Sequence, residues 1–216
     1  MIRMYKGIKR FLDIFVSILG ILILWPVMLI VAIAILIESG DEVIFKQERI
    51  GKNGKVFKLY KFRSMIKNAE HTGTGVYSYK GDARVTKVGK FIRKTSLDEL
   101  PQFVNVLRGD MSLIGPRPVL TYHPMTYDKY TQEQLKRFSV RPGITGWAQV
   151  NGRKTTLWPD RIRYDVEYVE NLSFAFDMKV FFKTITTVFG SADNENTQKT
   201  AAFEVEETST DAGVGN

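Results

Sequence analysis

The chain has 216 residues, enough for one domain with an appendage. A formal net charge of +8 with a pI near 9.5 implies an anionic partner: a membrane surface, a nucleic acid or a phosphorylated substrate. The absence of cysteine excludes disulfides, thiolate metal sites and cysteine nucleophiles; His71 and His123 are too few for a His-rich metal centre, and neither lies in a recognisable nucleophile motif.

Arg3, Lys6, Lys9 and Arg10 precede 24 uncharged residues from Ile14 to Ile37. As a helix this run extends roughly 36 Å at ~1.5 Å per residue, enough to cross a hydrocarbon layer of ~30 Å. Its length, and the lack of a small-x-small cleavage site after it, argue against a signal peptide. Pro26, near the middle, predicts a kink. The downstream flank is also basic, with Lys46, Arg49, Lys52, Lys55, Lys58, Lys61 and Arg63. Lys and Arg favour the cytoplasmic side, so a helix bent at Pro26 that enters and leaves by one face suits both flanks. A Pro-kinked single crossing is the alternative.

Val43–Gln47 and Val56–Phe62 are expected as strands around the turn Gly51-Lys52-Asn53-Gly54. Lys61 and Arg63, ending the second strand, suit a phosphate or lipid headgroups, or else a solvated edge. Residues 71–81 are expected as a mobile loop. Val85–Lys94 is expected as a short basic amphipathic helix with Val88, Phe91 and Ile92 on its apolar side and Arg93 at its end.

The segment Thr95-Ser96-Leu97-Asp98-Glu99-Leu100-Pro101-Gln102 holds two adjacent carboxylates. Leu97, Leu100, Phe103, Val104 and Leu107 follow helical spacing, and Gly109 supplies a stop. Asp98 and Glu99 then fall at the positive end of a helix, where they either work on a phosphate or, with Ser96, form an ordinary capping box. In Gly115-Pro116-Arg117-Pro118 two prolines stiffen the backbone around Arg117, whose planar fork suits phosphate oxygens. Pro124–Phe138 is expected as a helix with Tyr127, Tyr130, Leu135 and Phe138 inward. Residues 141–153 are expected as an elaborate loop, with Arg141, Arg153, glycines that let backbone N–H groups approach a ligand, and Trp147 as a stacking or interfacial ring. Helices are expected over Pro159–Val169, carrying Asp165, and over Phe174–Phe189.

Several segments, in order, resemble the bacterial sugar transferase family, the small monotopic phosphoglycosyl transferases. They are the Pro-broken apolar helix; Phe57-Lys58-Leu59-Tyr60-Lys61-Phe62-Arg63-Ser64-Met65; Ser96 to Gln102; Asn105-Val106-Leu107-Arg108-Gly109-Asp110-Met111-Ser112; Gly115 to Pro118; Arg141-Pro142-Gly143-Ile144-Thr145-Gly146; and Gln149-Val150-Asn151-Gly152-Arg153. The resemblance implies transfer of a sugar-1-phosphate from a UDP-sugar to polyprenyl (undecaprenyl) phosphate. It further implies UMP release, Mg²⁺, Asp98 as nucleophile, and Glu99 assisting through the metal or by proton handling. Lys61, Arg63, Arg93, Arg117, Arg141 and Arg153, with Asp165 as a further candidate, are the expected substrate-binding residues. The family commonly pairs a Ser with the helix-breaking Pro; here Trp25 precedes Pro26, where it would anchor depth.

The expected fold is mainly α with a small β-hairpin. A re-entrant membrane helix occupies 1–40, a compact catalytic domain with interfacial amphipathic helices occupies 41–192, and a disordered tail follows over 193–216. The expected location is the cytoplasmic face of the bacterial inner membrane, against inner-leaflet lipids, with no nucleic acid as specific ligand and a homodimer left open. Two other readings remain: a nucleotide-sugar glycosyltransferase that releases UDP, and a non-catalytic basic membrane-surface scaffold.

Overall fold

One helix, α1 (Ile2–Ser39), carries the whole apolar run, and Pro26 sits in its interior without ending it. The computed structural model describes residues 2–40, 42–73, 75, 78, 81–152 and 157–189; Arg153 and the tail expected over 193–216 lie outside them. After α1 come β1 (Ile44–Ile50), β2 (Val56–Phe62), α2 (Lys87–Lys94), α3 (Gln102–Arg108), β3 (Ser112–Ile114), β4 (Val119–Leu120), α4 (Gln132–Leu135), β5 (Gly143–Thr145), α5 (Trp147–Gly152), α6 (Trp158–Glu170) and α7 (Phe174–Phe189). The chain is therefore mainly helical, as expected, with more sheet than one hairpin: β1 pairs antiparallel with both β2 and β4, and β3 pairs parallel with β5.

Among the described residues, α1 is the one helix long and apolar enough to cross a membrane. Phe11, Leu22, Ile23, Trp25, Ile30 and Ile37 are exposed on its outer faces. Its inner face packs on the rest of the chain on both sides of Pro26. Before Pro26, Arg10 donates to the carbonyls of Val106 (2.7 Å) and Leu107 (3.1 Å), and Asp13 accepts from Ser112 Oγ and the Leu113 amide, each at 3.0 Å. Gly20 lies against the Phe103 ring, 3.0 Å from where a Cβ would stand. After Pro26, Val31 and Ile35 bury against Phe62 and Ile92. Glu38 then accepts from the first amides of α2, Lys87 (2.7 Å) and Val88 (2.9 Å), satisfying donors that have no partner inside that helix.

Backbone contact, not ligand approach, accounts for several glycines. A Cβ on Gly143 would stand 2.1 Å from the Gly115 amide nitrogen, and one on Gly146 would stand 2.0 Å from the Gly115 carbonyl oxygen. The two turn-rich segments are thus locked together, and β3–β5 pairing follows from that contact. Residues 141–152 hold β5 and α5, so the expectation of a loop there is corrected. Trp147 is buried against Phe176 at a centroid distance of 4.9 Å, with the ammonium groups of Lys179 and Lys183 each 4.7 Å from its ring, so it is neither a free stacking ring nor an interfacial one.

Two further expectations are revised. The segment 124–138 is not one helix: Tyr130 is extended, and Thr131 starts α4 through a capping box with Gln134. Tyr130 and Phe138 are nonetheless core residues. On α2, Ile92 is buried but Phe91 is exposed, so the apolar side is narrower than expected. Of the loop expected over 71–81, residues 74, 76, 77, 79 and 80 lie outside the described residues; the described part is held by Arg84, whose Nη1 donates to the carbonyls of Ala69, Thr72 and Gly75 at 2.7 Å each while Asp82 holds its other edge.

Candidate active site

Asp98 and Glu99 lie on a 3₁₀ turn, Leu97–Glu99, ahead of α3 and not inside it. Ser96 makes no side-chain cap, which removes the capping-box reading. Instead Ser96 adopts a left-handed backbone (φ 58°), costly for a residue with a Cβ. This reverses the chain between α2 and the 3₁₀ turn, and Asp98 is buried as a result. Gln102, Asn105 and Val106 form the buried face of α3, while Val104 points outward; Gly109, at φ 87°, ends the helix as expected.

The two carboxylates converge on one ammonium. Lys61 Nζ is 2.7 Å from Glu99 Oε1 and 3.7 Å from Asp98 Oδ2. It is held there by β2, whose pairing with β1 fixes its register through Phe45↔Lys61. Burial raises the Asp98 carboxyl above its usual range, against the opposing pull of Lys61, Arg93 and Arg117. Burial pushes Glu99 the same way, but Lys61 and Arg117 outweigh it and hold that carboxyl below its usual range. Two adjacent acids are thus split electrostatically by their distance from one cation.

Both acids open onto a cavity of about 790 Å³ whose walls carry nine basic and five acidic side chains. The excess of positive charge suits a diphosphate. The cavity brings together Lys61, Arg63, Arg93, Asp98, Glu99, Arg117 and Asp165 of the expected set. Arg93 also donates to Ser78 (3.0 Å), and Arg63 pairs with Glu42 (3.2 Å). Arg117 is exposed between two buried prolines, and among the described residues no hydrogen bond or ion pair engages its guanidinium. Arg141 does not join them: its Nε donates to the Gly109 carbonyl (2.8 Å), bracing the end of α3. Trp25 and Pro26 are exposed on α1, apart from the cavity walls.

Asp165 is not the solvated helix-surface acid that α6 periodicity offers as its ordinary role. It is 1% exposed and paired with Arg137, whose Nη2 lies 2.5 Å and Nε 3.1 Å from Oδ2. Burial raises its carboxyl and Arg137 opposes that rise. Sequence reasoning missed Arg49, Arg137, Arg161 and His123, which also line the cavity. Arg49 was legible as the alternate residue after Gln47 on one strand, and Arg161 as one helical turn before Asp165. Arg137 carried no such signal. Burial and the Arg117 charge lower Arg49 to about 10, still protonated at neutral pH. Burial, with Arg49 and Arg161, lowers His123, which leaves it a neutral imidazole at pH 7.

A divalent cation fits these donors in one way. Asp98 and Glu99 converge closely enough to share Lys61, and Mg²⁺ commonly takes one or two carboxylates plus substrate phosphate oxygens. Among the described residues no group of three or more His, Cys, Asp or Glu forms an all-protein cage.

The family model described as bacterial sugar transferase matches residues 4–191. The chain is 46% identical over 187 residues to a UDP-N-acetylgalactosamine-undecaprenyl-phosphate N-acetylgalactosaminephosphotransferase of Aeromonas hydrophila, covering 85% of this chain and 44% of that protein. It is 44% identical over 183 residues to the UDP-glucose:undecaprenyl-phosphate glucose-1-phosphate transferase of Escherichia coli K12, covering 82% of this chain and 39% of that protein. It is 42% identical over 196 residues to the uncharacterised sugar transferase EpsL of Bacillus subtilis, covering 90% of this chain and 94% of that protein. The chain therefore spans about four-tenths of the first two relatives and nearly all of the third.

Proposed function

The chain belongs to the bacterial sugar transferase family, and from that premise we propose that it moves a sugar-1-phosphate from a UDP-sugar to undecaprenyl phosphate and releases UMP. The observation that carries the reading is the pair Asp98–Glu99 sharing Lys61 in a cavity with a cationic wall. In the first step an Asp98 carboxylate oxygen attacks the sugar-bearing phosphorus. The phosphoanhydride bond breaks, and its electron pair leaves on UMP. In the second, an oxygen of undecaprenyl phosphate attacks the same phosphorus and the aspartyl bond breaks, regenerating the carboxylate. A carboxylate nucleophile divides one difficult displacement into two easier ones.

The chain's own residues contribute charge and alignment. Lys61, Arg93 and Arg117 keep Asp98 ionisable despite its burial, and Arg117 offers an unengaged fork to a phosphate. Glu99, held ionised, joins Asp98 as the donor pair for Mg²⁺. When bound, that ion neutralises phosphate charge and stabilises the leaving oxygen. The lipid substrate requires the membrane. α1 contacts the catalytic domain through Arg10, Asp13 and Gly20 on one side of Pro26 and through Val31, Ile35 and Glu38 on the other. A straight crossing of a ~30 Å core would carry one of these sets to the far side. Entry and exit at one face, with the basic flanks at the cytoplasmic leaflet, keep both.

The test is to incubate the full chain in membranes with undecaprenyl phosphate and a panel of UDP-sugars. UMP and a lipid diphosphosugar are expected with at least one sugar. Release of UDP would assign the chain to glycosyl transfer, and no turnover with Asp98 intact would favour the scaffold.

A further inference from the structure

The backbone of Pro116-Arg117-Pro118 is pinned at three successive carbonyls by three different elements. Pro116 O accepts from the Gly143 amide at the start of β5 (2.9 Å). Arg117 O accepts from Arg137 Nη2 (3.0 Å). Pro118 O accepts from Arg49 Nη1 on β1 (3.1 Å). Proline has no N–H, so positions 116 and 118 can be tied only through their carbonyls. The two guanidiniums are themselves fixed. Arg137 is 2% exposed and paired with Asp165, while Arg49 Nη2 donates to Gln47 Oε1 (2.5 Å), and Gln47 in turn donates to Glu70 (2.8 Å). The backbone is fully tied, and the Arg117 side chain is the exposed part left to meet a ligand.

We propose that Arg49 and Arg137 are positioning residues that act through the loop to aim the Arg117 guanidinium at a substrate phosphate. This rests on the phosphotransfer reading above and names how its cation is placed. A displaced clamp leaves the charge in the cavity but misaligns the fork, and misalignment of about 1 Å costs on the order of 100-fold in rate. Arg49 and Arg137 also line the cavity, so direct substrate contact is the competing explanation. The two explanations differ in how their effects combine. A residue acting through Arg117 has nothing left to position once Arg117 is truncated, whereas a residue with its own contact does.

The experiment is a double-mutant cycle on the full chain in detergent micelles, with undecaprenyl phosphate and the UDP-sugar that the wild type turns over. The variants are Arg117→Ala, Arg49→Gln and both together, read as kcat/KM and as UMP affinity by calorimetry. The expected result is that Arg49→Gln lowers both by about 10- to 100-fold and that the double variant is no worse than Arg117→Ala alone. Losses that multiply would overturn the proposal and assign Arg49 its own contact. Full activity in Arg117→Ala would also overturn it, while UMP release by the wild type separately judges the underlying reaction. Should Arg49→Gln not fold, Arg49→Lys carries the same cycle: it keeps the charge but replaces the two-nitrogen fork that reaches Pro118 O and Gln47 with a single ammonium nitrogen. Arg137→Lys repeats the cycle from the second clamp, with the same expected combination.

Discussion

Replacing Lys61 with methionine keeps the stem and removes the one ammonium that Asp98 and Glu99 share. Removing one partner of a buried pair costs several kcal/mol. Here 20% of the Lys61 side chain and 24% of Glu99 remain exposed, so solvent screening places the expected loss near the low end, about 2 kcal/mol at neutral pH. The loss depends on pH in a defined direction. Glu99 is held below its usual range, so its contribution is present above its unfolded pKa of ~4.3 and fades as pH falls through its folded value. Urea unfolding of wild type and Lys61→Met in the same micelles should therefore show a midpoint difference at pH 7.5 that is retained down to about pH 4.3 and shrinks as the pH falls further. An undiminished difference at the lower pH would mean that lost packing, not lost charge, caused it. Activity should fall more than stability, because both carboxylates lose their counter-charge and the acid limb of the rate profile moves to higher pH.

Asp98→Asn should abolish transfer and leave membrane association unchanged, read by UMP release and vesicle flotation. Because burial raises the Asp98 carboxyl, wild-type stability from that group is full at low pH and declines as pH rises through its folded value. The Asn variant should then unfold no earlier than wild type at pH 7.5, and an earlier transition would contradict this. Gly143→Ala places a Cβ against the Gly115 amide and should destabilise by about 3 kcal/mol, measured by the same urea titration. Cysteines at positions 3 and 52 should label from the same side of the membrane with an impermeant thiol reagent. Labelling from opposite sides would establish a spanning helix.

Much of this architecture was legible in strong local signals. The apolar run, the hairpin turn, the Pro at the start of α6 and the Phe-rich α7 have short-range physical causes, and they appear near their expected bounds. The acidic pair was legible as residues but not as geometry. Helical spacing pointed to a dipole at a helix start, whereas the left-handed Ser96 sets the pair ahead of α3, and Lys61, distant in sequence, supplies the field. Thr131 and Gln134 were a readable start signal inside a stretch whose apolar spacing suggested one long helix. The glycines of 115, 143 and 146 look alike in sequence whether they face a ligand or another backbone, and only the fold shows that they face each other. Arg141, expected at the substrate, braces the end of α3 instead, whereas Arg137, to which the sequence assigned nothing, lines the cavity. Which of the two reaches the cavity depends on contacts more than twenty residues away, with Gly109 for one and Asp165 for the other.

The central claim is that Asp98 itself takes the phosphosugar. The most direct measurement is rapid-quench incubation of the purified chain with UDP-sugar and Mg²⁺ in the absence of undecaprenyl phosphate, followed by mass spectrometry of the peptide that contains residues 95–108. The expected result is a burst of about one UMP per enzyme and a sugar-phosphate mass on Asp98 that disappears when undecaprenyl phosphate is added. UMP formation that begins only when both substrates are present, with no modified peptide, would contradict it.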